Sequence, residues 1–342
     1  MPDASALQPS ATSSTGRSRR SMDGGFTIGL WALTLVALAA IVAPWLAPHP
    51  PNAQPDLVGG RLRAPGTTLH AVQLRDGRTW LADAVARTPE GLRILRGGTW
   101  TTRGVDEITN LTDDGVADRW RYWLGSDRFS RDLLSRLLHG ARTSLLIAVL
   151  SIALALSLGL AVGAVAALAG GAVDALLMRI VDGLLTLPWL MVLITLSALV
   201  RPSTGTLIAL LGASGWMGLS RIVRGEMRGL LQRDFVRAAV AMGAGRLYLL
   251  RRHLLPHVWT PVVISVTLAL GSVILAEAAL SFLGLGVPPT TPSWGGMIAD
   301  GRLDMLRAWW VTTVPGAALV ITVIAVNLVG DGLRDRLDPR RA

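Results

Sequence analysis

TSLLIAVLSIALALSLGLAVGAVAALAGGAV, residues Thr143 to Val173, contains no charged side chain. A helix needs about 20 consecutive apolar residues to cross a hydrocarbon core roughly 30 Å thick, so this stretch is long enough to span a bilayer. Working outward, five more uncharged stretches follow the same rule: Phe26 to Leu46, Gly183 to Val200, Pro202 to Ser220, Val258 to Ala276 and Ala308 to Gly330. They predict an all-α polytopic membrane protein with six transmembrane helices. Arg201 and Pro202 separate the third and fourth spans, which makes that pair a tight hairpin. The first run follows Arg17, Arg19 and Arg20, as a signal peptide would. It exceeds the roughly 7–15 residues of a signal-peptide core, however, and reads as an uncleaved span.

Composition agrees. Of the 342 residues 51% are hydrophobic and only 16% charged, against about 25% charged in a soluble domain. No Cys is present, which excludes a disulfide framework, Cys-ligated zinc and a thiol nucleophile. No Lys is present either, so all 33 basic residues are Arg. A Walker A loop needs its Lys on the β/γ-phosphates, so this chain hydrolyses no ATP by that route and any ATP energy must come from a partner. The net charge of +10 is a topology signal rather than a nucleic-acid footprint. Short cytoplasmic loops carry the Arg excess of a membrane protein. The connection between the fourth and fifth spans holds Arg221, Arg224, Arg228, Arg233, Arg237, Arg246, Arg251 and Arg252, and the C-terminus adds Arg334, Arg336, Arg340 and Arg341. Both termini are therefore expected in the cytoplasm.

The reading divides the chain as follows: 1–25, a disordered tail; 26–47, the first span; 48–124, an extracytoplasmic insertion; 125–141, an amphipathic interfacial helix; 142–332, five spans with a cytoplasmic loop at 221–256; 333–342, a tail. The insertion has hairpin turn signals at Asp76-Gly77 and Gly97-Gly98, which predict a small β-rich unit, with an irregular loop as the alternative. In 125–141, Phe129, Leu133, Leu134, Leu137 and Leu138 recur at helical spacing with Arg128, Arg131, Asp132 and Arg136 between them. Ser126 or Asp127 is expected to cap this helix and Gly140 to end it.

The cytoplasmic loop reads SRIVRGEMRGLLQRDFVRAAVAMGAGRLYLLRRHLLPH. Asp234 is expected to cap a helix over Phe235 to Met242. Gly243, Ala244 and Gly245 permit a sharp turn, and a second helix runs from Arg246 until Pro256 breaks it. Such a helix-turn-helix with one apolar side suits docking into a partner's groove. On physics alone, a positive linker lying on lipid headgroups fits equally well.

Arg237-Ala238-Ala239, then Gly243, then Leu255-Pro256 resemble the EAA loop of ABC importer permeases, with Arg237 where that pattern has Glu. Three flanking stretches narrow the resemblance to the C-type permease of dipeptide, oligopeptide and nickel importers. They are LGSDRFSRDLLSRLLHGARTSL before the second span, EAALSFLGLGVPPTTPSWGGMI from Glu277 to Ile298, and NLVGDGLRDRLDPR from Asn327 to Arg340. Ser130 stands where that entry motif has Gly. The resemblance covers about residues 120 to 342 and leaves the long insertion unexplained.

It implies a type I ABC importer permease in a bacterial plasma (inner) membrane, with no catalytic residue and no cofactor of its own. A second homologous permease would complete the pore. Two ABC ATPases would bind ATP, and an extracytoplasmic binding protein would deliver peptides or related small solutes. The loop residues Arg237, Ala238, Ala239, Gly243, Ala244, Gly245, Leu255 and Pro256 would couple to an ATPase.

Glu277, directly after Ala276 at the outer end of the fifth stretch, is the one acid read as belonging to a span. An ionisable group there by default marks a pathway or a pair. A structural or gating role is expected, with water or an Arg near the outer end of the fifth span as the plainer account. The scattered His139, His253 and His257 make no metal site. A rival from another class is a rhomboid-like intramembrane serine protease, because Gly212-Ala213-Ser214-Gly215 resembles that nucleophile motif. Its chemistry needs a base within reach of the serine, and the later spans hold no His. Close helix packing is the better reading of those small residues. A membrane anchor displaying the insertion would need a single span only.

Overall fold

The computed structural model describes residues 15–112, 115–116 and 118–337. Ten helices are formed among them: α1 Thr15–Leu46, α2 Leu133–Ala169, α3 Gly171–Leu185, α4 Trp189–Leu199, α5 Thr204–Leu231, α6 Asp234–Ala241, α7 Arg246–Leu249, α8 Leu255–Phe282, α9 Trp294–Gly301 and α10 Trp310–Leu337. A π-helical turn, Leu250–Leu254, joins α7 to α8. Five helical segments are long and apolar enough to cross a membrane, and α3 with α4 makes a sixth, bent by 81°.

The spans pack through small residues. A β-carbon on Gly159 or Gly163 of α2 would collide with α5 at Leu219 or Val223, and one on Gly212 of α5 would collide with Leu154. With lipid offering tails as apolar as the side chains, such close approach is what favours one helix over the bilayer as a neighbour. α1 lies on α10 in the same way, with Gly29 against Leu328 and Gly332 against Phe26. Pro44, Pro261 and Pro315 sit inside α1, α8 and α10, where neighbouring helices make such breaks tolerable.

Several expected boundaries move. α1 begins at Thr15, within the segment read as a tail, because extending a formed helix gains one hydrogen bond per residue. Residues 1–14 of that tail lie outside the described residues. α10 likewise runs through Leu337 into the predicted C-terminal tail, of which 338–342 lie outside them. The third span breaks at Pro188, which lacks the amide hydrogen that α4 would need to continue α3.

No separate amphipathic helix forms at 125–141. Residues 125–132 are irregular, Asp132 rather than Ser126 or Asp127 caps α2 by accepting from the Ser135 amide at 2.8 Å, and the helix continues through Gly140. Two facts explain this. Trp294 packs over Gly140, which keeps the glycine helical. Arg131 and Arg136 are buried in ion pairs with Asp127 and Asp300 rather than presented to headgroups.

Between α1 and α2 lies a β-rich insertion. Strands β1 Thr68–Gln73, β2 Thr79–Ala82 and β8 Arg119–Arg121 form one antiparallel sheet in the order β2-β1-β8. β3 Ala84–Thr88, β4 Gly91–Arg96 and β5 Thr99–Arg103 form a second, and β6 Leu111–Thr112 pairs with β7 Gly115–Val116. The β4–β5 turn is Gly97-Gly98, both at positive φ (57° and 83°), as a two-residue hairpin of matching twist requires. Val72, Trp80 and Ala82 of the first sheet, with Leu74 just past β1, share a core with Leu92 and Ile94 of the second.

Asp56 knits the insertion together, and Ser126 ties it to the membrane helices. Buried Asp56 takes Arg96 on both oxygens (2.5 and 2.7 Å) and the Leu81 amide at 2.9 Å. The Ser126 hydroxyl donates to the Gly60 carbonyl at 2.5 Å, and Trp310 Nε1 donates to the Ser126 carbonyl at 3.2 Å. Ser130, buried, has φ +63°. That left-handed conformation is the one glycine adopts without penalty, which accounts for the glycine of the resembled motif.

Candidate functional site

α5 ends at Leu231, two residues before α6 begins, so the loop starts as a continuation of a span. Its inner end is held to α3: Arg224 and Arg228 both reach Asp174, each at 2.7 Å through Nη2, and Arg221 pairs with Asp182. Three of the arginines that marked this loop as basic are thus neutralised. Arg233, Arg237, Arg246, Arg251 and Arg252 have no ion pair among the described residues and stand exposed.

The turn after α6 is built on Gly243, at φ +88°. The Ala244 amide donates to the Ala239 carbonyl at 3.0 Å and the Gly243 amide to the Val240 carbonyl at 2.9 Å. This is the paired closure of a Schellman motif, with its apolar contact between Ala239 and Ala244. Asp234 is the first helical residue rather than the cap. Arg233 occupies the cap position, where its side chain has no acceptor, and the Asp234 carboxylate instead meets the positive end of the helix. Pro256 does not break the second helix. It sits in the first turn of α8, where its missing amide hydrogen costs little, and the preceding π turn carries α7 into α8.

Val236, Ala239 and Leu249 are buried and seat α6 on α7. Phe235 lies 5.5 Å from the His257 ring and 6.1 Å from that of His253, which pins α6 to the base of α8. Leu254 is fully buried against Val223, Met227 and Val258, and Leu255 packs beside it. The outer face is different. Arg237, Ala238 and Gly245 are exposed, and so are Met242 (83%), Leu247 (59%) and Tyr248 (56%). Exposed apolar side chains among unpaired arginines have the composition of an interaction surface. Met242 and Tyr248 were not singled out from sequence. Their signal was available as apolar residues in a loop otherwise crowded with Arg.

Glu277 lies elsewhere, towards the insertion end of α8. It is fully buried and accepts from the hydroxyls of Ser144 on α2 (2.9 Å) and Ser281 (2.8 Å). It is closed off from bulk solvent and bonds to no Arg among the described residues, contrary to the plainer account. Among the described residues no three of His, Asp and Glu are grouped to hold a metal. The Ser214 hydroxyl donates to the Leu211 carbonyl of its own helix at 2.7 Å, and Gly212 and Gly215 lie against Leu154 and Ala155 of α2. The protease reading fails on that packing.

Residues 159–342 match the family model described as binding-protein-dependent transport system inner membrane component. The chain belongs to that family. This permease also matches, over residues 24–65, the N-terminal transmembrane domain of oligopeptide transport permease C. Neither model covers 66–158, where most of the insertion lies.

Relatives of the permease include a di/tripeptide transport system permease protein of Pseudomonas aeruginosa, 33% identical over 91% of this chain and 87% of that one. A putative peptide permease protein of Brucella ovis is 42% identical over 75% and 85%. A putative peptide transport system permease protein of Brucella suis is 34% identical over 92% and 88%. Among solved structures, the MetNI methionine ABC transporter in an inward-facing conformation aligns with TM-score 0.49 and 19% identity over 59% of this chain and 96% of that one.

The protein is therefore a multi-pass permease subunit of a binding-protein-dependent ABC transport system and not an enzyme. Members of this family work with an ATPase, a second permease and a binding protein.

Proposed function

We propose that this chain forms half of a translocation pore for short peptides in a bacterial plasma membrane, with both termini cytoplasmic. A second homologous permease completes the pore. Two separate ABC ATPases bind the ATP, so this chain holds no cofactor, and an extracytoplasmic binding protein delivers the substrate. α6 and its Gly243 turn enter a cleft of one ATPase, and closure of the ATPase pair moves α5 and α8 with them. The observation that carries this reading is the exposure of Met242, Leu247 and Tyr248 among unpaired arginines, a surface too apolar for water and too charged for the bilayer core. Arg237 adds a positive charge where the resembled motif has a negative one, which calls for a carboxylate on this chain's own ATPase. Glu277 acts as a junction between α2 and α8 rather than as a substrate ligand, as its two serine partners favour.

The chain has no Cys, so Met242→Cys introduces a unique thiol. In membranes of its host it is expected to cross-link to a Walker-containing ATPase, with a yield that changes when ATP is supplied. Failure to cross-link from Met242→Cys and from Tyr248→Cys alike would overturn the coupling assignment.

A further inference from the structure

At the insertion end of the membrane helices a half-open cavity of about 370 Å³ lies between the start of α2, the 283–293 linker and α9. Its size falls within the roughly 300–1,000 Å³ typical of small-molecule sites. Phe129, Phe282 and Val287 supply apolar wall, and Arg128, Arg302 and Asp300 supply charge.

The charges there are unevenly matched. Arg128, Arg131 and Arg136 are held by Asp304, Asp127 and Asp300. Arg302 is exposed and has no ion pair among the described residues. It is the surplus cation of the cavity. Asp300 receives Arg131 (2.7 Å) and Arg136 (3.4 Å) on the same oxygen, Oδ2, and its side chain is 35% exposed. Its Oδ1 accepts no hydrogen bond from the described residues. A free cation and a free carboxylate oxygen therefore stand two residues apart at the end of α9, beside aromatic wall.

We propose that this cavity is a transit site for short zwitterionic peptides. Arg302 takes the α-carboxylate, Asp300 Oδ1 takes the α-ammonium, and a side chain lies on Phe129 and Phe282. The site rests on the reading of this chain as a peptide-importer permease and names the substrate chemistry that its outer end would recognise. A peptide leaving its binding protein would lose water from both termini, and paired charges at the mouth replace that hydration.

The test uses the complete importer in liposomes with saturating, peptide-loaded binding protein. Uptake of labelled Ala-Leu is compared with that of Ala-Leu amide, which has no carboxylate. The ratio of variant to wild type is read for each substrate, which cancels the binding protein's own preference. Arg302→Gln is expected to lower Ala-Leu uptake about tenfold, the size of one lost charge-assisted hydrogen bond, and to change amide uptake less than about twofold. Arg302→Lys is expected to restore most of the Ala-Leu uptake, since it keeps the cation. Equal loss on both substrates, or no loss on either, would overturn the site while the wild type imports Ala-Leu. A wild-type complex that hydrolyses ATP in response to its binding protein yet imports no peptide would overturn the importer reading instead.

Discussion

The Tyr122 hydroxyl lies 2.9 Å from both the carbonyl oxygen and the hydroxyl of Ser130. One atom thus holds a residue in left-handed conformation and joins the last strand of the insertion to the entry of α2. The phenol is buried, which pushes its pKa well above the ordinary tyrosine value, with the nearby carboxylates of Asp132, Asp127 and Asp56 adding to the shift against the Ser130 bond. It stays a neutral donor at any physiological pH.

Tyr122→Phe is expected to destabilise the purified permease by about 1–3 kcal/mol, because the buried Ser130 carbonyl loses its donor and the buried Ser130 hydroxyl loses its partner. Ser130→Gly is expected to stay near wild type, since relief of a strained φ offsets the lost hydroxyl. Ser130→Ala keeps the β-carbon strain and loses the bond, so it falls below both wild type and Ser130→Gly. Thermal midpoints in detergent rank the three, and a Ser130→Ala midpoint equal to that of Ser130→Gly would show that the conformation carries no cost.

Asp56 sets an acid limit on the insertion. Burial raises its pKa, but Arg96 and the amides of Leu81, Val58 and Gly59 outweigh it and hold the carboxyl below its ordinary value of 3.8. A depressed folded pKa contributes stability that is complete above 3.8 and is lost as pH falls through the lower folded value. Resistance of the insertion to an acid-active protease is expected to be flat from neutral pH to about 5 and to fall below about 4. Asp56→Asn is expected to be less stable at pH 7 by about 1.5–3 kcal/mol, with a weaker acid dependence. An unchanged acid limb would assign that limb to another group.

At Gly243 space is open around the missing β-carbon, so the constraint is the φ of +88°. Gly243→Asn, which tolerates that region, is expected to keep most peptide uptake. Gly243→Val is expected to lower uptake at least tenfold through a forced left-handed conformation, a cost of about 1–2 kcal/mol, and Gly243→Asp through a negative charge set at the negative end of α6, with permease assembly intact. Normal ATP-driven uptake by Gly243→Asp would remove the turn from the coupling path.

Glu277 is bonded only to hydroxyls, which can donate to a carboxylate or an amide oxygen alike. Glu277→Gln is therefore expected to keep its thermal midpoint and most of its uptake. Glu277→Leu strands Ser144 and Ser281 without acceptors and is expected to lose about 2–4 kcal/mol. A stable Glu277→Gln protein without uptake would show that the negative charge itself is used.

The spans were legible because the absence of charge over Thr143–Val173 and its counterparts is a local property of the sequence, and so were the Asp76-Gly77 and Gly97-Gly98 turns. What escaped depends on distant partners. Arg131 and Arg136 read as headgroup ligands until Asp300, far along the chain, takes them. Gly140 reads as a stop until Trp294 covers it. Pro256 reads as a break because its motif says nothing of a π turn. Ala84–Thr88 lacks the alternation of a half-buried strand, so β3 left no trace, and β8 is defined by pairing with β1 across the insertion. In the 221–256 loop the turn glycine was legible. That three of the loop's eight arginines are neutralised by Asp174 and Asp182 on α3 was not.

The unbroken path from Arg246 to Phe282 has a mechanical consequence. Its 37 residues make a rod about 55 Å long, and rocking such a rod by 5° about its middle swings each tip roughly 2 Å in opposite directions. One tip carries Leu247 and Tyr248, and the other ends in the wall of the cavity that holds Arg302 and Asp300. If the α7 end docks on an ATPase as proposed, a push received at one face of the membrane would be felt at the other at once, as with an oar in its lock, and timing between fuel and cargo would need no chain of intermediaries.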